Sequence, residues 1–261
     1  MPRERSLAVK VLGAFGGSAP GCRLTSFLIG NESALDAGAL TEALPPPVQR
    51  RLRRVFLTHA HFDHIVSLPF LAANLHGRAG APLEILAPEP VLEAVRRHVF
   101  NDATWPDFTR FPSVARPTIR YRALEEGRAF RAGGLEVTPY AVNHVVPTFG
   151  YVISTGAAAA VFSGDTGPTE RLWVAARRAP NVRAIFLECS FSDAEERLAA
   201  DSQHLTPRLV SQELSKLPPR VPIFLYHVKP FSLPRIRREV RALGEPRLKL
   251  LEGERTLRFA G

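Results

Sequence analysis

The stretch VFLTHAHFDHIVSLP, residues 55–69, narrows what this chain can fold into more than any other. Three histidines and an aspartate, His59, His61, Asp63 and His64, fall within six consecutive positions behind the apolar run Val55, Phe56 and Leu57. A short apolar run of this kind reads as a buried strand. Ser67 and Pro69 suit the first turn of a helix continuing from Leu71 to Leu75. The cluster is therefore expected on a tight loop between strand and helix. Alternate side chains of an extended segment point the same way, so His59 and His61 should converge. Asp63 and His64 follow where the chain turns and should reach a second point beside them. Two imidazoles aimed at one spot, with a carboxylate and a third imidazole aimed next to it, describe a site for two metal ions.

The second half of the chain repeats the same design. The apolar run of AAVFSGD leads to Asp165, AIFLECS carries Glu188, and PIFLYHVKP carries His227. His144, in VNHVVPTFGYV, follows a further strand-like segment. In layered α/β sheets the carboxyl ends of buried strands form the edge where ligand sites lie. A zinc ion takes three or four nitrogen or oxygen donors and keeps one position open for catalysis. His59, His61 and His144 would serve a first ion, and Asp63, His64 and His227 a second. Asp165, with two oxygens, could bridge them. Two such ions, roughly 3.5–4 Å apart, share a water and lower its pKa to about 7. Zinc fits the donor set, which also leaves manganese or iron open. His76 and His98 fall on expected helices without partners and read as surface residues.

Around these residues the chain reads as alternating α and β, in one domain over residues 1–261. Strands are expected over 7–13, 24–29, 83–87, 118–122, 135–140 and 150–154, and a helix over 91–100. The triple proline at 45–47 is expected to precede a short basic helix. NDATWPDFTRFP, residues 101–112, reads as a polar loop with more aromatic content than loops need. Hydrophobic residues make up 45% of the chain, enough for a sizeable core. No apolar run approaches the about 20 residues needed to span a bilayer. MPRERSLAVKVLG lacks the pattern of a signal peptide, and two cysteines, Cys22 and Cys189, are too few for a disulfide framework. A cytoplasmic protein is the expectation. The formal charge of +9 is carried mostly by arginine. The arginines are scattered, apart from Arg50, Arg51, Arg53 and Arg54, and read as a solvated basic surface rather than a nucleic-acid stripe.

THAHFDH, then a lone histidine, the aspartate of SGD and the histidine of LYH resemble, in order, the motifs of the metallo-β-lactamase superfamily, over essentially the whole chain. That resemblance implies a four-layer αβ/βα sandwich, two mixed β-sheets facing each other with helices outside. The ligand set above matches the superfamily's motif order. HAHFDHIVSLPFL further resembles the motif of class II cyclic-nucleotide phosphodiesterases, which hydrolyse 3′,5′-cyclic AMP and GMP. ECSF at 188–191, HLTP at 204–207, HVKP at 227–230 and HVFNDATWPDF at 98–108 also look like that family. Phe62 departs from it, standing where leucine is commoner.

The activity so implied is hydrolysis of a small 3′,5′-cyclic nucleotide to the nucleoside 5′-monophosphate. The catalytic set is Asp63, which doubles as a ligand, with His204 and Glu188. Thr206 and Pro207 suit the N-cap and first position of a helix, which places His204 on the loop entering it. From there it can act as general acid toward the leaving alkoxide, oriented by Glu188. Trp105 and Phe108 are expected to stack on the base and Asn101 to hold its polar edge. A rival reading is a tRNA 3′-processing endonuclease, whose relatives carry a similar Glu/His pair. Many of those carry an RNA-binding arm between the motifs of His144 and Asp165, which here are only about 20 positions apart. Arylsulfatase- or lactonase-like ester hydrolysis is a second rival. No membrane partner is expected, and a homodimer stays open.

Overall fold

The structure, a computed structural model, describes residues 6–261. Residues 1–5, which opened the signal-peptide reading, lie outside it. Sixteen strands are described: β1 Leu7–Gly13, β2 Ser26–Ile29, β3 Ser33–Leu35, β4 Arg54–Phe56, β5 Leu83–Ala87, β6 Pro112–Ser113, β7 Arg116–Pro117, β8 Ile119–Ala123, β9 Phe130–Ala132, β10 Leu135–Ala141, β11 Phe149–Ser154, β12 Ala159–Phe162, β13 Val182–Glu188, β14 Ile223–Tyr226, β15 Leu248–Leu250 and β16 Arg255–Phe259. The α-helices are α1 Leu40–Ala43, α2 Pro46–Gln49, α3 Phe62–Ile65, α4 Ser67–Leu75, α5 Glu89–His98, α6 Arg171–Arg178, α7 Glu196–Asp201, α8 Pro207–Glu213 and α9 Leu233–Ala242.

Two seven-stranded sheets carry the fold, in the orders β16-β1-β2-β3-β4-β5-β8 and β15-β14-β13-β12-β11-β10-β9. Both are mixed. The first is antiparallel from β16 to β3 and parallel from β3 through β8. The second is parallel from β15 to β12 and antiparallel from β12 to β9. Strands that must be buried on both faces read as unbroken apolar runs; AAVF of β12 and IFLY of β14 are such runs, buried at every position. Between the sheets Phe27 of β2 meets Phe162, Phe186 and Tyr226 of the opposite sheet edge to face, at ring separations of 5.2–5.4 Å. Trp173 of α6 and Ile236 of α9 join a second apolar layer on the outer face of the β12–β14 region. Helix, sheet, sheet, helix is the expected four-layer order.

Two local expectations are corrected. The triple proline does not precede a basic helix; it starts a short helix without basic residues, since proline suits the first turn. α2 is Pro46–Gln49, Arg50 and Arg51 lie in the turn after it, and Arg54 enters β4. The histidine cluster is also not purely a loop. Phe62–Ile65 forms the short turn α3, so Asp63 and His64 stand on a helix before Ser67 opens α4. The Ser67 hydroxyl does not cap α4; it donates to Gly38 O and accepts from Thr41 N–H, tying α4 to the Asp36–Gly38 turn and to α1.

Sheet direction decides where chemistry collects. β12, β13 and β14 run parallel, so Asp165, Glu188 and His227 all leave the sheet at one edge. β10 is antiparallel to β11 and β11 to β12. β10 therefore points the same way as β12, and His144 emerges at that edge too. Tyr151 crosses the core to donate to Leu57 O at 2.7 Å, and Phe149 N–H donates to Thr58 O at 2.9 Å. These bonds pin the β4 loop of the first sheet to the edge of the second.

Candidate metal centre

All seven predicted ligands converge. His59, His61, His144 and Asp165 place their donor atoms within 4.8 Å of one another, and Asp63, His64 and His227 do the same. Asp165 lies between the groups: its Oδ2 is 3.6 Å from His59 Nε2 and 3.3 Å from His227 Nε2, and its Oδ1 is 3.3 Å from His64 Nε2.

The outer ring nitrogens are anchored to the protein scaffold, which leaves the inner ones directed at the centre. His64 Nδ1 lies 2.8 Å from Asp36 Oδ2, and His59 Nδ1 lies 3.0 Å from Thr58 Oγ1. His144 Nδ1 faces Gln203 O at 3.2 Å, and His227 Nδ1 faces Ser190 Oγ at 3.0 Å. A carboxylate or carbonyl can only accept, so His64 and His144 each donate Nδ1–H, which leaves Nε2 as the nitrogen facing the centre. This is the arrangement that orients metal-ligating histidines.

Polar atoms left unsatisfied identify what the cluster is built for. His59 Nε2 and Asp165 Oδ1 are buried without a hydrogen-bond partner, and His64 Nε2 faces His227 Nε2 at 3.0 Å. Buried polar groups left this way cost free energy unless something satisfies them. Divalent cations would satisfy them together, so the donor set fits the two-ion reading. Burial and neighbouring charge move the ionisable groups of the cluster in different directions. Burial pushes His59 well below its ordinary pKa, aided by the charge of His64. At His64 burial opposes the imidazolium, yet Asp165 and Asp36 outweigh it and its pKa rises well above the ordinary value. Against burial, Asp63 is held below the usual carboxylate range by the neighbouring His227 and His64.

His227 is held under constraint. Its backbone lies in the left-handed region at φ 63°, a conformation that costs a non-glycine residue about 1–3 kcal/mol. Its N–H donates to Ala14 O at 2.6 Å. Gly16 packs against it so closely that a Cβ there would meet the His227 ring at 2.5 Å, so a side chain at 16 would dislodge the imidazole.

Beside the cluster, His204 Nδ1 lies 2.7 Å from Glu188 Oε1. Glu188 is fully buried and His204 6% exposed. Burial lowers the His204 pKa, but Glu188 reverses this through charge and hydrogen bond, and the net shift is upward. Thr206 caps α8 with Pro207 in its first turn, as expected. The His204 donor atom also falls within 4.8 Å of those of Asp165 and His227, so the pair borders the cluster.

The three predicted substrate-binding residues fare differently. Phe108 is only 9% exposed, its ring packed among His76, Phe100 and Phe111. The Asn101 amide donates to Arg97 O and accepts from Ala103 N–H and Thr104 N–H, so it shapes its own loop. Trp105 is half-buried against Phe70, with its indole N–H unpartnered. His76 and His98 are exposed and remote from the donor groups. A cavity of about 580 Å³ beneath α6 is lined by none of the predicted site residues.

Residues that the spacing did not single out complete the scaffold: Asp36, Thr58, Ser190 and Lys229. Asp36 Oδ1 accepts from Thr58 N–H at 2.8 Å, and the Thr58 hydroxyl donates to the same carboxylate while facing His59. One carboxylate thus orients His64 directly and His59 through Thr58. Asp36→Asn keeps a residue type that tolerates the φ of 56° found there but removes one acceptor and the charge. Metal affinity should fall about 10–100-fold in chelator competition, with the circular-dichroism spectrum retained. Unchanged affinity would reduce Asp36 to a turn-former. Lys229 Nζ donates to Gly16 O and lies 3.6 Å from Asp63 Oδ2, a cation at the rim.

Comparison with known proteins agrees with this geometry. Residues 34–227 match the model of the Beta-lactamase superfamily domain. A probable 3′,5′-cyclic-nucleotide phosphodiesterase of Yersinia pestis is 26% identical over 278 aligned positions, covering 85% of this chain and 78% of that protein. A ribonuclease Z of Pseudomonas putida is 34% identical over 107 positions, 40% of this chain and 30% of that one. Among solved structures, unliganded yeast PDE1 superposes with a TM-score of 0.81 at 19% identity, over 97% of this chain and 99% of its own.

Proposed function

The chain belongs to the metallo-β-lactamase superfamily of metal-dependent hydrolases, and from that premise we propose that it hydrolyses 3′,5′-cyclic nucleotides to nucleoside 5′-monophosphates. His59, His61 and His144 would hold one divalent ion, Asp63, His64 and His227 a second, and Asp165 would bridge them; zinc suits these donors. Ions held there would activate water and neutralise charge on the phosphate oxygens. The Glu188–His204 pair carries the phosphodiesterase part of the reading. Breaking a ribose P–O bond produces an alkoxide that needs a proton, and His204 has its Nδ1 fixed to Glu188, which frees Nε2 to deliver one. As water adds to phosphorus, the 3′-oxygen departs and takes that proton. Glu188 keeps the resulting charge balanced and the ring aligned.

The match to the Yersinia pestis protein over most of both chains supports the cyclic nucleotide. The ribonuclease Z match supports an RNA reading over a shorter stretch, as does the charge of +9. Between His144 and Asp165 the chain forms the plain hairpin β11–β12, with no protruding arm. Purified, metal-loaded protein offered cyclic AMP, cyclic GMP, cyclic dinucleotides and precursor tRNA tests the choice. Release of a nucleoside 5′-monophosphate is expected. Correct trimming of precursor tRNA at low enzyme concentration would overturn the substrate while leaving the metal site intact.

A further inference from the structure

One hydroxyl touches both halves of the chemistry. Ser190 Oγ lies 2.9 Å from Glu188 Oε2, 3.1 Å from His204 Nδ1 and 3.0 Å from His227 Nδ1. Ser190 is fully buried, so water does not compete. A hydroxyl has one hydrogen and two lone pairs. An ionised carboxylate can only accept, so Glu188 takes the hydrogen. The two lone pairs then face two ring nitrogens, and each contact is a hydrogen bond only if that nitrogen carries a proton. His204 Nδ1–H is shared between Glu188 Oε1 and Ser190; His227 Nδ1–H points at Ser190. Both rings are thereby set as Nδ1–H tautomers. His227 must then offer its Nε2 lone pair, the atom 3.2 Å from Asp63 Oδ2, and His204 turns its own Nε2 away from the Glu188–Ser190 side.

We infer that Ser190 is a positioning residue that locks the tautomers of His227 and His204, coupling metal retention to the orientation of the leaving-group acid. The inference rests on the ligand role of His227 and the acid role of His204 proposed above. The backbone supports this role, since Ser190 N–H donates to Leu205 O and its own carbonyl accepts from Lys229 N–H, both at 3.0 Å. The loops bearing His204 and His227 are thus joined through this residue even when its side chain is removed, so Ser190→Ala removes the hydroxyl contacts while those bonds remain.

¹⁵N-histidine NMR of the metal-free protein and chelator competition of the zinc-loaded protein test this, because an ion on His227 Nε2 would by itself fix Nδ1–H there. Wild type should show Nδ1–H on both rings. Ser190→Ala should bind zinc about 10–100-fold more weakly and lose the single tautomer at His227, and Ser190→Thr, which keeps a hydroxyl, should restore much of the affinity. A proton on His227 Nε2 in the wild type, or wild-type zinc affinity with both tautomers intact in Ser190→Ala, would overturn the inference. His227→Ala separates the two levels. If it retains both ions, the ligand assignment has failed and the Ser190 inference falls with it. If it loses zinc while Ser190→Ala does not, the ligand assignment stands and the inference about Ser190 alone falls.

Discussion

Asp165→Ala is expected to lose metal from one or both positions and to lose activity by more than the about 10²–10³-fold typical of removing a single charge-stabilising donor. Asp165 is 1% exposed, and among the described residues its carboxylate is the one that approaches both His59 and the pair His64 and His227. On the proposed ligand set, Asp63, 3.2 Å from His227 Nε2, would then be the one carboxylate left among five imidazoles. Asp165→Asn separates volume from charge, because it fills the same space yet offers one neutral oxygen. Metal analysis of the purified variants is the measurement. His98→Ala should keep the wild-type metal content. Full occupancy and near-normal turnover in Asp165→Asn would contradict the bridging role.

His204→Ala is expected to slow cyclic AMP hydrolysis by about 10²–10⁴-fold, the usual contribution of general acid catalysis, and largely to spare bis-p-nitrophenyl phosphate. A ribose alkoxide is a poor leaving group and needs the proton; a nitrophenolate leaves without it. Metal content should stay at the wild-type level. Glu188→Gln should show the same selectivity more mildly, because the ring would be misoriented rather than absent. Equal losses on both substrates with metal retained would assign His204 to charge stabilisation instead. Loss of metal would make it a ligand, a role its closeness to Asp165 and His227 permits geometrically.

The donors were legible because each stands directly behind an apolar run, and the strand pattern that identifies the run also gives the edge at which it ends. The sheet order then had only to bring those edges together, which the β10–β14 directions do. The anchoring groups were not legible. Thr58 and Ser190 are small hydroxyls whose type says nothing until the partners are placed, and Asp36 looks like an ordinary turn residue. The 101–112 segment shows a different limit. Its aromatic content suggested a binding surface, and the structure adds that Phe108 packs against Phe100 and that Asn101 makes local Asx-type bonds. Composition could not separate an aromatic residue that serves a ligand from one that serves its own loop.

Pinning the β4 loop to the far sheet has a consequence for biosynthesis. On the proposed ligand set, each ion draws on both sheets: His59 and His61 await His144, and Asp63 and His64 await His227. Translation delivers the dense cluster early and His227 long after it. A nascent chain halted before β14 therefore displays six of the seven proposed ligands without the partner that closes the second position. On that set, closure of the second position must follow, rather than guide, the addition of β14 to the second sheet. Retention of the second ion then certifies that translation has passed His227 and that its strand has docked.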